Sequence, residues 1–424
     1  MTRSDGSAWY YSYLPHGMAG GATSALIPLF AYALGGNLWE VGLIAAVTSI
    51  ASVPAFVLWG YLSDRLRRRK VFLLIGFLGG AGSLAAMAAS GTILELSLAN
   101  LLIGFLGAAS APVGAVLVME TAERRMWPAR LARLSRMGGI GWTAGLALGV
   151  VWLGVGSDLF GSLPAMRALF VLGAALSAAG AAFAAWSLRE PLVTVDRRAV
   201  DVVDHHMRIE RVRYLPFRLL HFFDLRNHRS RVPLPRPLRV YLGSVFLLFT
   251  GFTAFYGFFP IFLRDALTLS GTDVFVVYLA SHVTSVVAYA RTGAWVASRG
   301  SRPVQIHAAL GRAALFPSFF VLAIVPLPFL ARYGALLALH AGVGLCWAVL
   351  NVAGSTLVSR LADEKGHARA MGTYNAMQAF GAILGPLLGG AVAQVGGYGA
   401  AFAASVAFVL LGVAVLAVDR VQEA

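Results

Sequence analysis

The sequence has little charge, almost no lysine and a single cysteine. Only 12% of its 424 residues are charged, whereas 58% are hydrophobic. Soluble domains are nearer half apolar and one quarter charged, so this composition indicates a membrane protein. It excludes a soluble enzyme, a secreted module and a nucleic-acid-binding protein.

The one cysteine, Cys346, lies inside an apolar run, which excludes disulfide bonds and cysteine metal sites. The sequence contains no G-x-x-x-x-G-K-[ST] loop, so ATP hydrolysis is not the energy source. No nucleophile and base are paired at one depth of an apolar run. We therefore predict that the chain is not an enzyme and has neither a cofactor nor a metal.

Twelve apolar runs are each long enough to cross a bilayer as a helix. We read them as helices because an isolated strand cannot satisfy its backbone in hydrocarbon, and barrel strands would be shorter and alternating. The runs cover residues 9–34, 38–62, 71–90, 94–119, 136–155, 164–188, 238–262, 272–298, 304–327, 333–357, 370–392 and 397–418.

Positive charge is concentrated on one side of this arrangement. Of the 34 lysines and arginines, 30 fall at the chain ends or in the connections that follow even-numbered runs. The positive-inside rule makes this side cytoplasmic, with both termini inside. The net charge of +15 is thus mainly a topology signal. We predict a multi-pass protein of a prokaryotic cytoplasmic membrane.

The two halves of the chain are related by an internal repeat. A shift of 240 positions aligns runs four and five with runs ten and eleven. Gly104, Met137, Gly141, Gly145 and Gly149 fall on Gly344, Met377, Gly381, Gly385 and Gly389. Two related six-helix bundles with a midplane site are typical of secondary transporters. We predict bundles over residues 1–188 and 238–424.

Residues 189–237 form a basic loop between the bundles. Its later part mixes arginines with leucine and phenylalanine. Such a segment either lies along the inner leaflet and attracts anionic lipid, or is a solvated tether. Both readings stay open.

Residues 60–69 read Gly-Tyr-Leu-Ser-Asp-Arg-Leu-Arg-Arg-Arg. This segment resembles the signature G-x-x-x-D-R-x-G-R-[RK] of the major facilitator superfamily. The resemblance implies that Gly60, Asp64, Arg65 and Arg68 belong to a gate. In that family the aspartate contacts the start of the eleventh helix and latches the bundles on the cytoplasmic side. Arg67 replaces the family's glycine. The alternative is a plain basic end of a helix.

Glu120 follows the fourth run and precedes Glu123, Arg124 and Arg125. It fits the cluster of acids and arginines that often accompanies this gate. We expect Glu120 to pair with loop arginines such as Arg65 or Arg68, or else to make a surface salt bridge of little value.

The eleventh run contains a glycine pattern that resembles g-x-x-x-G-P-x-x-G-G of the superfamily's proton-driven drug antiporters. It consists of Gly381, Gly385, Pro386, Gly389 and Gly390. The family carries this pattern in its fifth helix, and the arginine of its fourth helix is here Asn100. Close packing of helices through small residues is the alternative explanation.

No Asp or Glu lies deep in any run, so no carboxylate is available as the usual proton carrier. The histidines His282 and His340 lie near the middle of runs eight and ten and are the proton-coupling candidates. A lone histidine in a helix is more often a neutral hydrogen-bonding group, which is the alternative for both.

In the family, the first, second, fourth and fifth helices of each half line the central cavity. Arg291 is then a candidate anion site, while Arg312 is expected to snorkel or to bind a carbonyl group. Polar and aromatic side chains of these helices are candidates for substrate binding. They are Trp142, Tyr256, Arg291, Trp347, Asn351, Tyr374, Asn375 and Gln378.

The sequence therefore predicts an all-α membrane protein with twelve helices in two pseudo-symmetric bundles. It resembles the drug-efflux branch of the superfamily, which implies proton-coupled export of a small hydrophobic or amphipathic solute by a monomer. Uptake of a metabolite or organic anion is one alternative. A membrane sensor or scaffold that does not transport is another.

Overall fold

The computed structural model describes residues 8–66, 68–121, 123, 126–188, 190, 234–362 and 367–418. These residues form helices and contain no β-strand. A 3-10 turn at Ala8–Ser12 precedes thirteen α-helices. They are α1 (Tyr13–Ser24), α2 (Leu26–Ala33), α3 (Leu38–Leu66), α4 (Arg69–Ala89), α5 (Ile93–Gly107), α6 (Ser110–Thr121), α7 (Trp127–Phe160), α8 (Ser162–Ser187), α9 (Arg236–Asp265), α10 (Gly271–Arg299), α11 (Ser301–Ile324), α12 (Phe329–Leu361) and α13 (His367–Val418).

The helices confirm the twelve predicted apolar runs. The first run is interrupted at Ala25 between α1 and α2, and the fourth is interrupted between α5 and α6. The last two runs are joined in α13, which has non-helical backbone angles at Gly397. For these reasons only nine helices of the described chain are, as single helices, long and apolar enough to cross a membrane.

Three connections between helices are made by single glycines. Gly161, Gly300 and Gly397 have φ values of 85°, 84° and 76°, with ψ between 151° and 176°. This region of backbone conformation is essentially restricted to glycine. The glycines let α7 turn into α8, α10 into α11, and the first part of α13 into its second part without a loop.

The two ends of the bundle differ in charge. We call one the arginine-poor end; it contains residues 34–37, 90–92, 161, 266–270, 325–328 and 397. The opposite end, which we call arginine-rich, contains residues 68 and 300 and the first residues of α1, α7 and α9. Capping boxes begin α5, at Thr92 and Glu95, and α10, at Ser270 and Asp273. Both boxes place a carboxylate at a helix N-terminus, where the helix dipole stabilises it.

Helix pairing repeats between the halves. In the first half α1 packs on α7 and α3 on α5; in the second, α9 packs on α13 and α10 on α12. The repeat extends to single contacts: Gly104 lies against the backbone of Thr48, and Gly344 against that of Ser281. The helices α3 and α7 of the first half also contact α13 and α10 of the second. These contacts enclose the space between the bundles.

The core of the second half is aromatic. On α9, Phe255 stacks on Phe316 of α11 with ring centroids 4.0 Å apart, and it also contacts Phe259 and Phe402. All four side chains are almost completely buried. This packing holds α9 against α11 and α13.

Candidate functional site between the two bundles

Glycines bring the two halves together at the arginine-poor end. A Cβ atom at Gly42 of α3 would clash with the carbonyl oxygen of Pro386 and would lie 3.1 Å from Gly390, both on α13. On the other side of the space, a Cβ at Gly149 of α7 would clash with the ring of Phe275 on α10. The halves are therefore in contact at this end through closely packed backbone.

A shared carboxylate adds hydrogen bonds to this contact. The Tyr32 hydroxyl of the first half donates a bond of 2.5 Å to Asp265 Oδ1, and Tyr398 donates a bond of 2.8 Å to Asp265 Oδ2. The Leu38 backbone N–H donates to Gln394 Oε1 at 3.0 Å. The first and third bonds join the halves and hold the arginine-poor end closed.

The halves also meet near the middle of the bundle. The rings of Trp142 on α7 and His282 on α10 are stacked, with centroids 6.2 Å apart and planes inclined by 23°. Tyr289 lies seven positions after His282, on the same face of α10, and is 42% exposed. On this face of α10, Tyr289 is therefore more exposed than the partly buried His282.

Side chains of the second half connect Tyr289 to the wall behind it. Tyr289 is hydrogen-bonded to Asn351 of α12, and Asn351 Nδ2 donates a bond of 3.1 Å to the Trp347 carbonyl oxygen. The Trp347 ring contacts Phe249 of α9 at 6.0 Å. This wall therefore combines aromatic rings with one amide.

Arg312 of α11 is buried behind this wall and is only 2% exposed. Its guanidinium carbon lies 4.5 Å from the centroid of the Phe252 ring and 5.2 Å from that of Trp347. Its Nη2 donates a long bond of 3.5 Å to the Val343 carbonyl oxygen, whereas Nε and Nη1 have no partner among the residues that the structure describes. The expected carbonyl contact is present, but the side chain does not snorkel. A buried guanidinium without a carboxylate is costly.

His340 is buried on α12. Its Nδ1 donates a bond of 2.7 Å to the Val277 carbonyl oxygen of α10, so the ring is the Nδ1–H tautomer when neutral. Its Nε2 lies 3.4 Å from the Tyr256 hydroxyl of α9. Tyr256 is part of the aromatic cluster with Phe255 and Tyr278. Both ring nitrogens of His340 therefore face protein groups.

The remaining substrate-binding candidates do not converge on His282. Arg291 is exposed but lies nine positions, or about two and a half turns, after His282 and hence on the opposite face of α10. Tyr374 is buried against Tyr241 of α9, with centroids 6.3 Å apart, and is hydrogen-bonded to Gln378. Asn375 is exposed beside them.

The gate predicted at the arginine-rich end is only partly described. A Cβ atom at Gly60 would meet none of the described atoms within 4 Å, so Gly60 makes no close contact with the described helices in this conformation. Arg68 is exposed at the start of α4. The side chains of Asp64 and Arg65 lie outside the described part of the structure, as do residues 191–233 of the basic loop predicted over 189–237.

Glu120 forms an ion pair with Arg69, one residue beyond Arg68. Arg69 Nη2 and Nε donate to Glu120 Oε1 at 2.9 and 3.1 Å, and Arg69 Nη1 donates to Ser63 Oγ at 2.7 Å. Arg69 is largely buried because α4 begins at this residue and its side chain turns toward α6. The pair therefore joins the α3–α4 corner to α6.

The glycine pattern of α13 packs against α9. Cβ atoms at Gly381, Gly385 and Gly389 would clash with residues 249–254 of that helix. Pro386 packs on Gly257 of α9 as well as on Gly42 of the first half, and Gly390 faces Gly42. In the first half, Gly141 and Gly145 of α7 pack in the same way on Leu14 and Met18 of α1. The pattern thus packs helices in both halves, and one edge of it contacts the opposite bundle.

Several residues of the site carry no signal in the sequence. Tyr32, Asp265 and Tyr398 are 233 and 133 positions apart, and only the fold brings them together. Tyr289 does carry a signal in the sequence: it lies seven positions, or about two turns, after His282 and therefore on the same face of α10. Among the described residues, no group of three His, Cys, Asp or Glu side chains is placed to hold a metal ion.

Comparisons with known proteins cover nearly the whole chain. The family model of the Major Facilitator Superfamily matches residues 10–348 and 308–423. No curated protein shows significant sequence similarity to the chain.

Solved structures share the fold at low sequence identity. The nucleoside transporter NupG is 17% identical, with 97% of this chain and 96% of that chain covered and a TM-score of 0.64. A bacterial homologue of the human lysosomal transporter Spinster, in an inward-facing and unoccupied conformation, is 12% identical, covers 96% and 95%, and has a TM-score of 0.69. The human organic anion transporter MFSD10 is 19% identical, covers 97% and 98%, and has a TM-score of 0.57.

Proposed function

The chain belongs to the major facilitator superfamily, and on that premise we propose that it exports a hydrophobic or amphipathic solute by proton-coupled alternating access. The protein is a multi-pass membrane transporter of a small molecule and not an enzyme. What we propose beyond the family is the class of solute, the direction of transport and the coupling to protons.

The observation that carries the proposal is the stack of Trp142 on His282 between the halves. The surrounding wall presents the rings of Trp347 and Phe249. Acidic side chains of the described helices, such as Glu40, Glu95 and Asp273, lie at helix ends. A solute with an apolar body and no positive charge fits such a space, because apolar pockets with few polar groups bind apolar ligands.

His282 is the better placed of the two histidines to carry the proton. It lies between the halves and is partly exposed, whereas His340 is 1% exposed and is bonded at both nitrogens. A protonated imidazole on an indole ring gains cation–π attraction. Protonation of His282 therefore strengthens a contact between the bundles and links proton binding to their relative position.

Topology and the described conformation support export as the proposed direction. The positive-inside rule places the arginine-rich end in the cytoplasm of a prokaryotic cell. The described conformation, closed at the arginine-poor end, then opens to the cytoplasm and admits a cytoplasmic solute. Rocking of the two bundles closes the Gly60–Asp64 gate and releases the solute outside. One chain encloses the whole path, so a monomer is sufficient.

Proton movement in everted vesicles tests this proposal. Vesicles carrying the protein, His282→Gln or Asp64→Asn are loaded with a pH-quenched dye and given a panel of lipophilic compounds. We expect at least one compound to collapse the gradient with the unmodified protein only. His282→Gln should still bind that compound, as read from tryptophan fluorescence, while Asp64→Asn should bind it without turnover.

Two outcomes would contradict the proposal. If His282→Gln moves protons as fast as the unmodified protein, His282 is not the proton carrier. If no compound of a broad panel moves protons while the protein is folded, the export proposal itself fails.

Transport of an organic anion is the second candidate, and Arg312 favours it. Its Nε and Nη1 are buried without partners behind Trp347, and a buried charge inside a transporter marks a functional site by default. The fold is shared with the human organic anion transporter MFSD10. Labelled benzoate and taurocholate are the probes. Arg312→Met should abolish their transport and Arg291→Met should preserve it; equal transport by both variants would exclude Arg312 as an anion site.

A further inference from the structure

A groove runs along the second bundle between α10, α11 and α12. Its volume is about 530 Å³, within the range of about 300–1,000 Å³ that is usual for ligand sites. Trp295, Val304, Leu345 and Val349 form apolar walls, and Arg299 and His307 lie at its arginine-rich end. No acidic residue is among those that line it.

This groove is separate from the space between the bundles. All of its lining residues come from the second half. Trp295 and Arg299 follow His282 by 13 and 17 positions, which rotates them by about 220° and 260° around α10. They therefore face α11 and α12 and not the first bundle.

Positive charge is concentrated along the groove. Arg299 is the last residue of α10 and is exposed. His307 is exposed two turns into α11; its Nδ1 donates to the Pro303 carbonyl oxygen at 2.6 Å, so in the protonated ring Nε2 is a second donor for an anionic ligand. The buried guanidinium of Arg312 lies one turn beyond Ala308, which lines the inner end of the groove. An anionic group is therefore attracted to it.

The groove has apolar walls along its length and basic side chains at one end, which is the arrangement that an amphiphilic ligand requires. Apolar walls within a transmembrane bundle face hydrocarbon, and an acyl chain fills them. The ends of transmembrane helices lie at headgroup depth, where arginine binds phosphate through charge-assisted hydrogen bonds. A soluble anion would leave the apolar walls empty, and a neutral lipid would leave Arg299 without a partner.

We propose that this groove binds one anionic phospholipid of the bilayer. Its phosphate contacts Arg299 and His307, and one acyl chain lies along Val304, Leu345 and Val349. This site does not depend on which solute crosses between the bundles.

Lipid retention in nanodiscs tests the site. The full-length protein is reconstituted in equal parts of phosphatidylglycerol and phosphatidylcholine, and bound lipid is counted by native mass spectrometry. We expect one phosphatidylglycerol to be retained. The double variant Arg299→Gln/His307→Gln should lower its retention by about fivefold or more, as the loss of roughly 1 kcal/mol per surface arginine requires.

Arg239→Gln is the matched control, because Arg239 is exposed near the same end, on α9, and does not line the groove. The native thiol of Cys346, which lines the groove, gives a second readout. Phosphatidylglycerol should slow its alkylation in the unmodified protein and not in the double variant. Equal retention of both lipids, an equal loss in Arg239→Gln, or alkylation that ignores lipid charge would overturn the proposal.

Discussion

Asn100 and His340 are 240 positions apart and make the same contact in the two halves. Asn100 Nδ2 donates a bond of 2.6 Å to the Ile44 carbonyl oxygen of α3, and His340 Nδ1 donates one of 2.7 Å to the Val277 carbonyl oxygen of α10. Ile44 and Val277 are equivalent too, because each lies four residues before the backbone contact of Thr48 with Gly104 and of Ser281 with Gly344. Asn100 therefore ties α5 to α3, and His340 ties α12 to α10, which accounts for His340 without a role in proton transport.

We expect His340→Asn to retain transport, because asparagine supplies the same donor in the other half. His340→Leu should lower the midpoint of thermal unfolding, since it removes a buried hydrogen bond to the Val277 carbonyl group, which contributes about 0.5–1.5 kcal/mol. Transport by reconstituted protein and its melting curve measure the two effects. Loss of proton coupling in folded His340→Asn would instead make His340 a carrier.

Tyr32→Phe should favour opening of the arginine-poor end, because it removes a hydrogen bond between the halves. Tyr398→Phe is the matched control: it removes a bond to the same Asp265 from within the second half. Spin labels at Trp39→Cys and Phe329→Cys, both exposed near this end, report the separation in a Cys346→Ala background. In Tyr32→Phe, a larger fraction of molecules should show the longer distance between the two spin labels. An equal increase in Tyr398→Phe would contradict a role of the Tyr32 bond in holding the halves together.

Alanine at Gly42 and at Gly60 should act in opposite directions. Gly42→Ala pushes a methyl group into Pro386 and opposes the described conformation, whereas Gly60→Ala has free space in it. With the same pair of spin labels, Gly42→Ala should populate the longer distance and Gly60→Ala the shorter. Closure of the arginine-poor end in Gly42→Ala to the same extent as in the unmodified protein would refute the close contact.

Glu120→Gln should destabilise the first bundle by about 1–3 kcal/mol, because it leaves the largely buried Arg69 without its carboxylate. Arg68→Gln removes a charge from an exposed neighbour and should change little. The free energy of unfolding in detergent, taken through a double-mutant cycle of Glu120→Gln with Arg69→Gln, isolates the pair. A coupling energy near zero would show that the ion pair with Glu120 does not stabilise the bundle and that Arg69 acts through its other contacts.

The sequence was sufficient for the fold because hydropathy and glycine spacing are local signals. The twelve apolar runs predict the helices that are present. The alignment of Gly104 with Gly344 predicts that both glycines make the same kind of helix contact, and they do. The interruption at Ala25 has a local signal that the prediction of a continuous first run did not use: Pro28 has no N–H to donate to the Ser24 carbonyl group and its ring crowds that group.

The candidate site was predicted less completely, because depth in a helix does not fix the direction of a side chain. Arg291 has a suitable depth but lies on the opposite face from His282. Its spacing of nine residues from His282 was sufficient to predict this. Glu120 was recognised as a pairing acid, yet its partner Arg69 depends on where α4 begins. The bond of Tyr32 to Asp265 required the fold itself.

The two ends of this transporter should respond differently to dissolved salt. Salt screens fixed charges beyond about 8 Å at physiological ionic strength but leaves the contact of Gly42 with Pro386 unchanged. At the opposite end the exposed arginines repel one another, and screening relieves that repulsion. The ionic strength of the medium on the arginine-rich side, and not that on the other side, should therefore set how long the molecule stays open.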